Sequence, residues 1–441
     1  MLILGNARKT VLKLLTKLDK NASYSNILLD DTLEKSDLSM QDKKFASALF
    51  YGVLERKITL DAVIKYYSKR PADKLNIQVR NILRMAIYQL CYMDSVPDSA
   101  AVNEAVKLSK SSRNPAVSGF VNGLLRSFIR DEKKIPFGKS NTEKLSVEYS
   151  CPEWLIDKWL NEYNDDVTLS MLKTSLGQAQ TTVRVNNTKC TVNEFIDELN
   201  EAGISCDINP CTDNAVDLFS GGAVERLDSY KYGHFHVQDL SSQLCCKALD
   251  PKEDDTVLDI CAAPGGKSFT IAEMMNNKGK VLSFDLHENR VRLIRQGASR
   301  LGLTIIEADL NNGKEYNENI PKADRVLCDV PCSGLGVIRR KPEIKYKNPE
   351  DFEKLPEIQY SILSASANYV KAGGVLVYST CSLSRAENDD VVERFLENNN
   401  DFEPCELDEN IFGESCGYKV SITPDKFSSD GFFIAKLVRV R

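Results

Sequence analysis

Two cysteines stand where packing has little use for them. One lies in Asp329-Val330-Pro331-Cys332-Ser333-Gly334 and the other in Ser379-Thr380-Cys381-Ser382. Cysteine is a common core residue, and with thirteen in the chain most single positions need no functional explanation. These two differ. Each occupies a polar Gly/Ser/Pro loop directly after an apolar run, and one is preceded by a carboxylate and a rigid proline. A thiolate is well suited to add to an electron-poor ring, and a second acid or base is needed to undo the adduct.

A third loop offers a place for a second reactant. Asp259 and Ile260 lead into Cys261, Ala262, Ala263, Pro264, Gly265, Gly266 and Lys267, and a helix opens at Ser268. Small residues and two glycines let the backbone approach a ligand closely, and a helix N-terminus favours a carboxylate or another polar group. Gly266-Lys267-Ser268 imitates the end of a phosphate-binding loop, but that loop needs a glycine where Cys261 stands. A nucleoside cofactor bound without a triphosphate is the better reading. Asp285, twenty residues after Gly265, ends the next apolar run, from which a carboxylate can take both hydroxyls of a ribose. Asp309, ending Ile-Ile-Glu-Ala-Asp, admits two readings, an adenine contact or a helix cap. Two thiols and a carboxylate over a nucleoside cofactor suggest covalent chemistry on a pyrimidine.

Loops of this kind need a rigid sheet behind them. Short apolar runs at 257–261, 281–285, 325–329 and 374–380 alternate with helical patterns at 288–301, 358–370 and from about Glu387, and a last strand follows in Phe-Phe-Ile-Ala-Lys-Leu-Val. This alternation predicts a mostly parallel sheet covered on both faces, with ligands at the carboxyl ends of the strands. Before it, 181–235 mixes short strands with a helix at 192–203 and reads as a small α+β domain. The first 130 residues carry apolar stripes at helical spacing, among them Ile82, Leu83, Ala86, Ile87 and Leu90, then Val121, Leu124, Leu125 and Phe128, and no convincing strand. Ser39 followed by Asp42 reads as a variant capping box. Residues 131–146 read as a polar linker, and helical segments follow around 154–163. The expected architecture is multidomain: an all-α bundle over 1–131, a linker and helical segment over 132–180, a small α+β domain over 181–235, and an α/β Rossmann-like domain over 236–441.

The chain has 441 residues, 57 Lys+Arg against 63 Asp+Glu, and a net charge of −6. It is neither disordered nor fibrous in composition. No apolar run approaches the roughly 18 residues of a membrane helix, and the opening Met-Leu-Ile-Leu is broken at once by Gly5, Asn6, Arg8 and Lys9. An odd number of scattered cysteines, no Cys-x-x-Cys pair and only three histidines point to free thiols in a reducing, cytoplasmic compartment, with no metal site. The acidic average hides an asymmetry. Residues 1–130 hold 21 Lys+Arg and 12 Asp+Glu, or +9, which leaves 36 and 51, or −15, for the remainder. The segment 337–347 is also basic: Arg339, Arg340, Lys341, Lys345 and Lys347 stand against the single acid Glu343. Directly after the Pro-Cys loop, it is placed to clamp phosphates. Such contacts give affinity and salt dependence without sequence information.

Residues 261–267, 329–334 and 380–382 resemble the motifs of the RNA cytosine-5 methyltransferases that use S-adenosyl-L-methionine. The helical N-terminal segment is similar to the antitermination factor NusB, and 238–243 and 339–345 resemble stretches of the Sun-type ribosomal small-subunit methyltransferase B branch. Val330 and Gly334-Leu335 depart from that pattern, where Ala and Ala-Thr are expected, and neither touches a reactive group. The resemblance implies that Cys381 adds to C6 of a cytosine, that Cys332 assists the later elimination, and that Asp329 bonds the cytosine amidine edge or the cofactor. It implies that 261–267 holds the methionine moiety, Asp285 the ribose and Asp309 the adenine. DNA cytosine-5 enzymes instead use the Pro-Cys thiol as nucleophile. The implied substrate is 16S ribosomal RNA, free or partly assembled, bound by a monomer. The competing readings are a tRNA cytosine-5 methyltransferase, a non-catalytic RNA-binding assembly factor, for which eroded motifs are expected, and a methyltransferase for protein or small molecules, which has no use for a second thiol.

Overall fold

Runs such as Val257-Leu258 and Val375-Leu376-Val377-Tyr378 are apolar at successive positions, as a strand buried on both faces requires. In the computed structural model, which describes residues 7–20, 25–110, 115–219 and 224–441, they do lie in a sheet with two covered faces. Val257, Val375 and Val377 join one core with Leu244, Ile271 and Ile294. Leu258, Leu376 and Tyr378 point the other way, into a core with Leu363, Val392 and Phe395. The opening Met-Leu-Ile-Leu, with Gly5 and Asn6, lies outside the described residues. Among the described residues, no helix is long and apolar enough to cross a membrane, and no cluster of side chains has the makings of a metal site.

The chain forms two units, one of Met1–Gly177 with Ile338–Lys347, the other of Gln178–Val337 with Asn348–Arg441. The first is helical among its described residues. Its central helix, Ile77–Tyr92, is buried on nearly every side, and Phe50, Leu83, Ile87, Leu125 and Phe128 form the core around it. Arg84 within that helix is buried and bonds both oxygens of Asp61 at 2.7 Å. Ser39 accepts the Asp42 amide and donates to the Asp42 carboxylate, the variant cap read from the sequence. The 131–146 linker is shorter than expected. A helix begins at Asn141, because Ser140 and Glu143 form a full capping box.

In the second unit a small antiparallel sheet comprises β1 (Thr181–Val185), β2 (Cys206–Ile208), β3 (Ala215–Leu218) and β4 (Phe235–Val237) in the order β2-β3-β1-β4. The helix Val192–Glu201 lays Phe195 and Leu199 against Val183, Val185 and Phe235. Arg184 of β1 reaches the equally buried Glu273 at 2.7 Å and so ties this sheet to the helix Gly266–Met274 of the larger domain.

The large sheet comprises β5 (Thr256–Asp259), β6 (Lys280–Asp285), β7 (Ile306–Leu310), β8 (Ala323–Asp329), β9 (Val370–Thr380), β10 (Phe402–Pro404), β11 (Lys419–Ile422) and β12 (Phe432–Arg439). Its order is β10-β12-β9-β8-β5-β6-β7, with β11 also paired to β12. From β7 to β9 the strands are parallel, while β10, β11 and β12 are antiparallel additions at one edge. The expected last strand is present, but its direction, and the short β10 and β11, are not legible from local pattern. The order reverses between β5 and β8, which puts a crevice at their carboxyl ends.

Candidate active site

Four strands of the large sheet end at this crevice, and each carries one of the predicted segments. Gly265, after β5, has φ +112°, and a Cβ there would lie 2.4 Å from the Phe269 ring, so only glycine fits this turn. Gly265 caps the helix Gly266–Met274 with no side-chain bond to its first amides, which leaves a helix N-terminus for a ligand. Asp259, at the end of β5, is fully buried. Ser268 Oγ donates to one of its oxygens at 2.7 Å, and the other has no hydrogen-bond partner. Burial pushes this carboxyl up to about 7. A glycine turn, open helix amides and an orphaned buried oxygen together fit a small polar cofactor over 261–267. Burial pushes the Cys261 thiol well up.

Asp285, ending β6, is only 3% exposed. One oxygen accepts the His287 amide at 3.1 Å, and the other lies 3.2 Å from Arg290, which also donates to Ala263 O in the cofactor loop. Asp309 is different: its side chain is 78% exposed at the end of the edge strand β7, where it accepts the Leu310 amide and stands 3.7 Å from Arg295.

Asp329 and Ser379 are register partners on the parallel strands β8 and β9. Ser379 Oγ donates to Asp329 at 2.8 Å, and Lys267, the last residue of the cofactor loop and already in the first turn of its helix, meets the other Asp329 oxygen at 2.7 Å. The pair joins two of the sequence-read motifs. Asp329 opposes the burial cost on Lys267 and holds that ammonium above its ordinary range. Three residues beyond Asp329 and two beyond Ser379, the Cys332 and Cys381 sulfurs lie 3.1 Å apart. The hydrogen bond to Cys381, with burial, pushes the Cys332 thiol well up.

The basic segment does not behave as a uniform clamp. Lys341 is exposed, and Arg339 and Arg340 are half-buried. Lys345 corrects the expectation: it is 0% exposed and donates to Glu55 O at 2.9 Å, at the carbonyl end of the helix Met40–Glu55. A cation there is favoured by the helix dipole and by the unsatisfied carbonyls. Burial lowers it to about 8. Tyr346 bonds Leu54 O at 2.8 Å beside it. Lys345 thus anchors its segment to the helical unit and is not available to a phosphate.

Sequence reasoning missed the polar residues behind the thiols. Ser333 and Ser382, each the residue after a cysteine, have hydroxyls 2.8 Å apart, and both donate to the buried Glu387. In the sequence Glu387 reads only as the start of a helix. The polar stretch Ser-Leu-Ser-Arg-Ala-Glu-Asn immediately after Cys381 was the available signal.

Known proteins resemble this chain along its length. Residues 246–438 match the family described as 16S rRNA methyltransferase RsmB/F, residues 5–130 the NusB family, and residues 151–225 a ferredoxin-like domain of RsmF/B-like methyltransferases. A probable ribosomal RNA small subunit methyltransferase B of Bacillus subtilis is 40% identical over 98% of this chain and 98% of its own length. The corresponding methyltransferase B of Proteus mirabilis is 31% identical over 95% and 94%. Among solved structures, that of PH0851 superposes with a TM-score of 0.83 at 25% identity and covers all of both chains. The chain thus belongs to the ribosomal RNA small subunit methyltransferase B family, whose methyl donor is S-adenosyl-L-methionine.

Proposed function

We propose that this enzyme methylates C5 of one cytidine in 16S ribosomal RNA through a covalent adduct at C6, with Cys381 as the nucleophile. The observation that carries this reading is the 3.1 Å approach of the Cys332 and Cys381 sulfurs at the ends of neighbouring strands, beside the Lys267–Asp329 pair. S-adenosyl-L-methionine supplies an electrophilic methyl group on its sulfonium. Residues 261–267 would hold its methionine end, Asp285 its ribose and Asp309 its adenine. Cys381 adds as thiolate to C6, and the electron pair displaced from the C5–C6 bond makes C5 the methyl acceptor. After methylation the C5 proton passes to solvent water, the pair it releases restores the C5–C6 double bond, and the C6–S bond breaks with its electrons returning to Cys381. Cys332 assists that elimination. Asp329 keeps lone pairs beyond those used by Ser379 and Lys267, and one of them accepts from the amino edge of the cytosine.

To meet these groups the base must leave its stack, so the substrate is a loop or an opened strand. The helical domain, at +9 over residues 1–130, supplies phosphate contacts together with Arg339, Arg340 and Lys341. The division at about 131, 180 and 235 then separates phosphate binding, linkage, substrate placement and chemistry, all within a monomer acting on free or partly assembled RNA. Denaturing electrophoresis with labelled RNA tests the roles. Cys381→Ala forms no adduct and no product, while Cys332→Ala accumulates an adduct that survives denaturation. The reverse outcome would exchange the two thiols.

A further inference from the structure

The two thiols sit on separate loops that leave the paired strands β8 and β9, and backbone bonds already join those loops, from the Val330 amide to Ser379 O at 3.1 Å and from the Gly336 amide to Cys381 O at 3.0 Å. A buried carboxylate from further along the chain joins them. Glu387, 3% exposed, closes the short turn Arg385–Glu387 ahead of the helix Asp389–Asn398. Its Oε1 accepts from the hydroxyls of Ser333 at 2.6 Å and Ser382 at 2.7 Å. Its Oε2 accepts from the Ser333 amide at 2.8 Å and from Gln359 Nε2 at 3.0 Å. Ser333 follows Cys332, and Ser382 follows Cys381. Gln359 also donates to Pro331 O at 2.9 Å, so both neighbours of Cys332 are held. Asn388 does the same for Cys381: it accepts from the Thr380 hydroxyl at 2.6 Å and donates to Ser382 O at 2.9 Å. A carboxylate this deeply buried is costly unless its oxygens are satisfied, and here four donors satisfy them.

We propose that Glu387 is the positioning residue of the thiol pair: its carboxylate gathers the residues that follow Cys332 and Cys381 onto one point and so sets the distance at which the two sulfurs work. The tie is read from geometry alone; its consequence for methylation rests on the function proposed above. A displacement of about 1 Å at a reacting group can cost about 100-fold in rate. Glutamine can keep the tie, because its carbonyl can accept from the Ser333 amide and Gln359 while its amide donates to the two hydroxyls, which can turn to accept. Alanine cannot.

The test uses the full chain and two readouts. In single-turnover methylation, Glu387→Ala is expected to lose about 100-fold in rate with KM for RNA within about twofold of wild type, and Glu387→Gln to recover to within about tenfold of it. Independently of catalysis, equilibration with reduced and oxidised glutathione, read by peptide mass spectrometry, gives the effective concentration of Cys332 toward Cys381. That value falls at least about tenfold in Glu387→Ala and stays within about threefold in Glu387→Gln. Should Glu387→Ala fail to fold, Ser333→Ala and Ser382→Ala each remove one tie and are expected to lower the effective concentration by smaller steps. Wild-type thiol pairing in Glu387→Ala, or in both serine variants, overturns the proposal. Loss of pairing without loss of methylation supports the tie and instead overturns the two-thiol mechanism.

Discussion

Asp259 should make the stability of the catalytic domain depend on pH in a direction opposite to that of an ordinary paired carboxylate. Its carboxyl is fully buried, bonded by Ser268 on one side only, and raised from 3.8 to about 7, with burial as the largest cause. Between those values the folded protein keeps a proton that the unfolded chain has released, so rising pH favours unfolding. A shift of about 3 units corresponds to about 4 kcal/mol, lost progressively from pH 4 to pH 7 and level above it. Asp259→Asn removes the titration and leaves a buried amide imperfectly paired, a constant cost of about 1–3 kcal/mol. The variant should therefore be less stable than wild type by about 1–3 kcal/mol near pH 4 and more stable by about the same amount at pH 8. Both tryptophans, Trp154 and Trp159, belong to the helical unit, so their fluorescence does not report on this domain. Hydrogen exchange of peptides over 256–275, corrected for the intrinsic pH dependence, does. A difference constant to about 0.5 kcal/mol from pH 4 to 8 would refute the reasoning. So would a wild type that gains on the variant as pH rises, which would mean that the carboxylate is stabilised in the fold.

Other perturbations give further expectations. Lys267→Met leaves Asp329 without its cation; with the side chains 14% and 25% exposed, the loss should be about 2–4 kcal/mol, somewhat below that of a fully buried pair, and calorimetric unfolding measures it. Glu273→Gln strands Arg184 in a buried site and should cost about 3–5 kcal/mol, while the apolar double variant Arg184→Met with Glu273→Met recovers most of it in a double-mutant cycle. Lys13 and Lys17, exposed one turn apart on the first described helix, face the same side. Replacing both by Gln should lower the salt slope of RNA binding by about 0.7–0.9 per lysine, equally for unrelated RNA sequences, as filter binding at several salt concentrations would show.

Much of this molecule is legible in its sequence, for reasons tied to particular residues. The central strands declare themselves because both faces of the sheet are covered, so Val257-Leu258 and Val375-Leu376-Val377 are apolar without alternation. The cofactor loop, Asp329 and the two cysteines can be found because each follows such a run. Strand direction leaves no comparable mark: β12 looks like any other strand, and β10 and β11 have too few residues to show a pattern. Lys345 is illegible to a charge count, which treats every lysine as solvated, whereas its neighbours Ile344 and Tyr346 show a segment that packs. Glu387 was missed because a hydrogen-bonding hub has no fixed spacing from the residues it serves, and the partners of its two oxygens come from three separate segments.

The central claim concerns a cytosine and a thiol, and one measurement addresses both. Bisulfite sequencing of 16S ribosomal RNA and of tRNA compares cells lacking this chain with cells restored by the wild type or by Cys381→Ala. The account predicts that a single 16S cytosine loses its C5 methylation, that wild type restores it, and that Cys381→Ala does not. Unchanged 16S methylation in the deleted cells, loss at a tRNA position instead, or restoration by Cys381→Ala would contradict it.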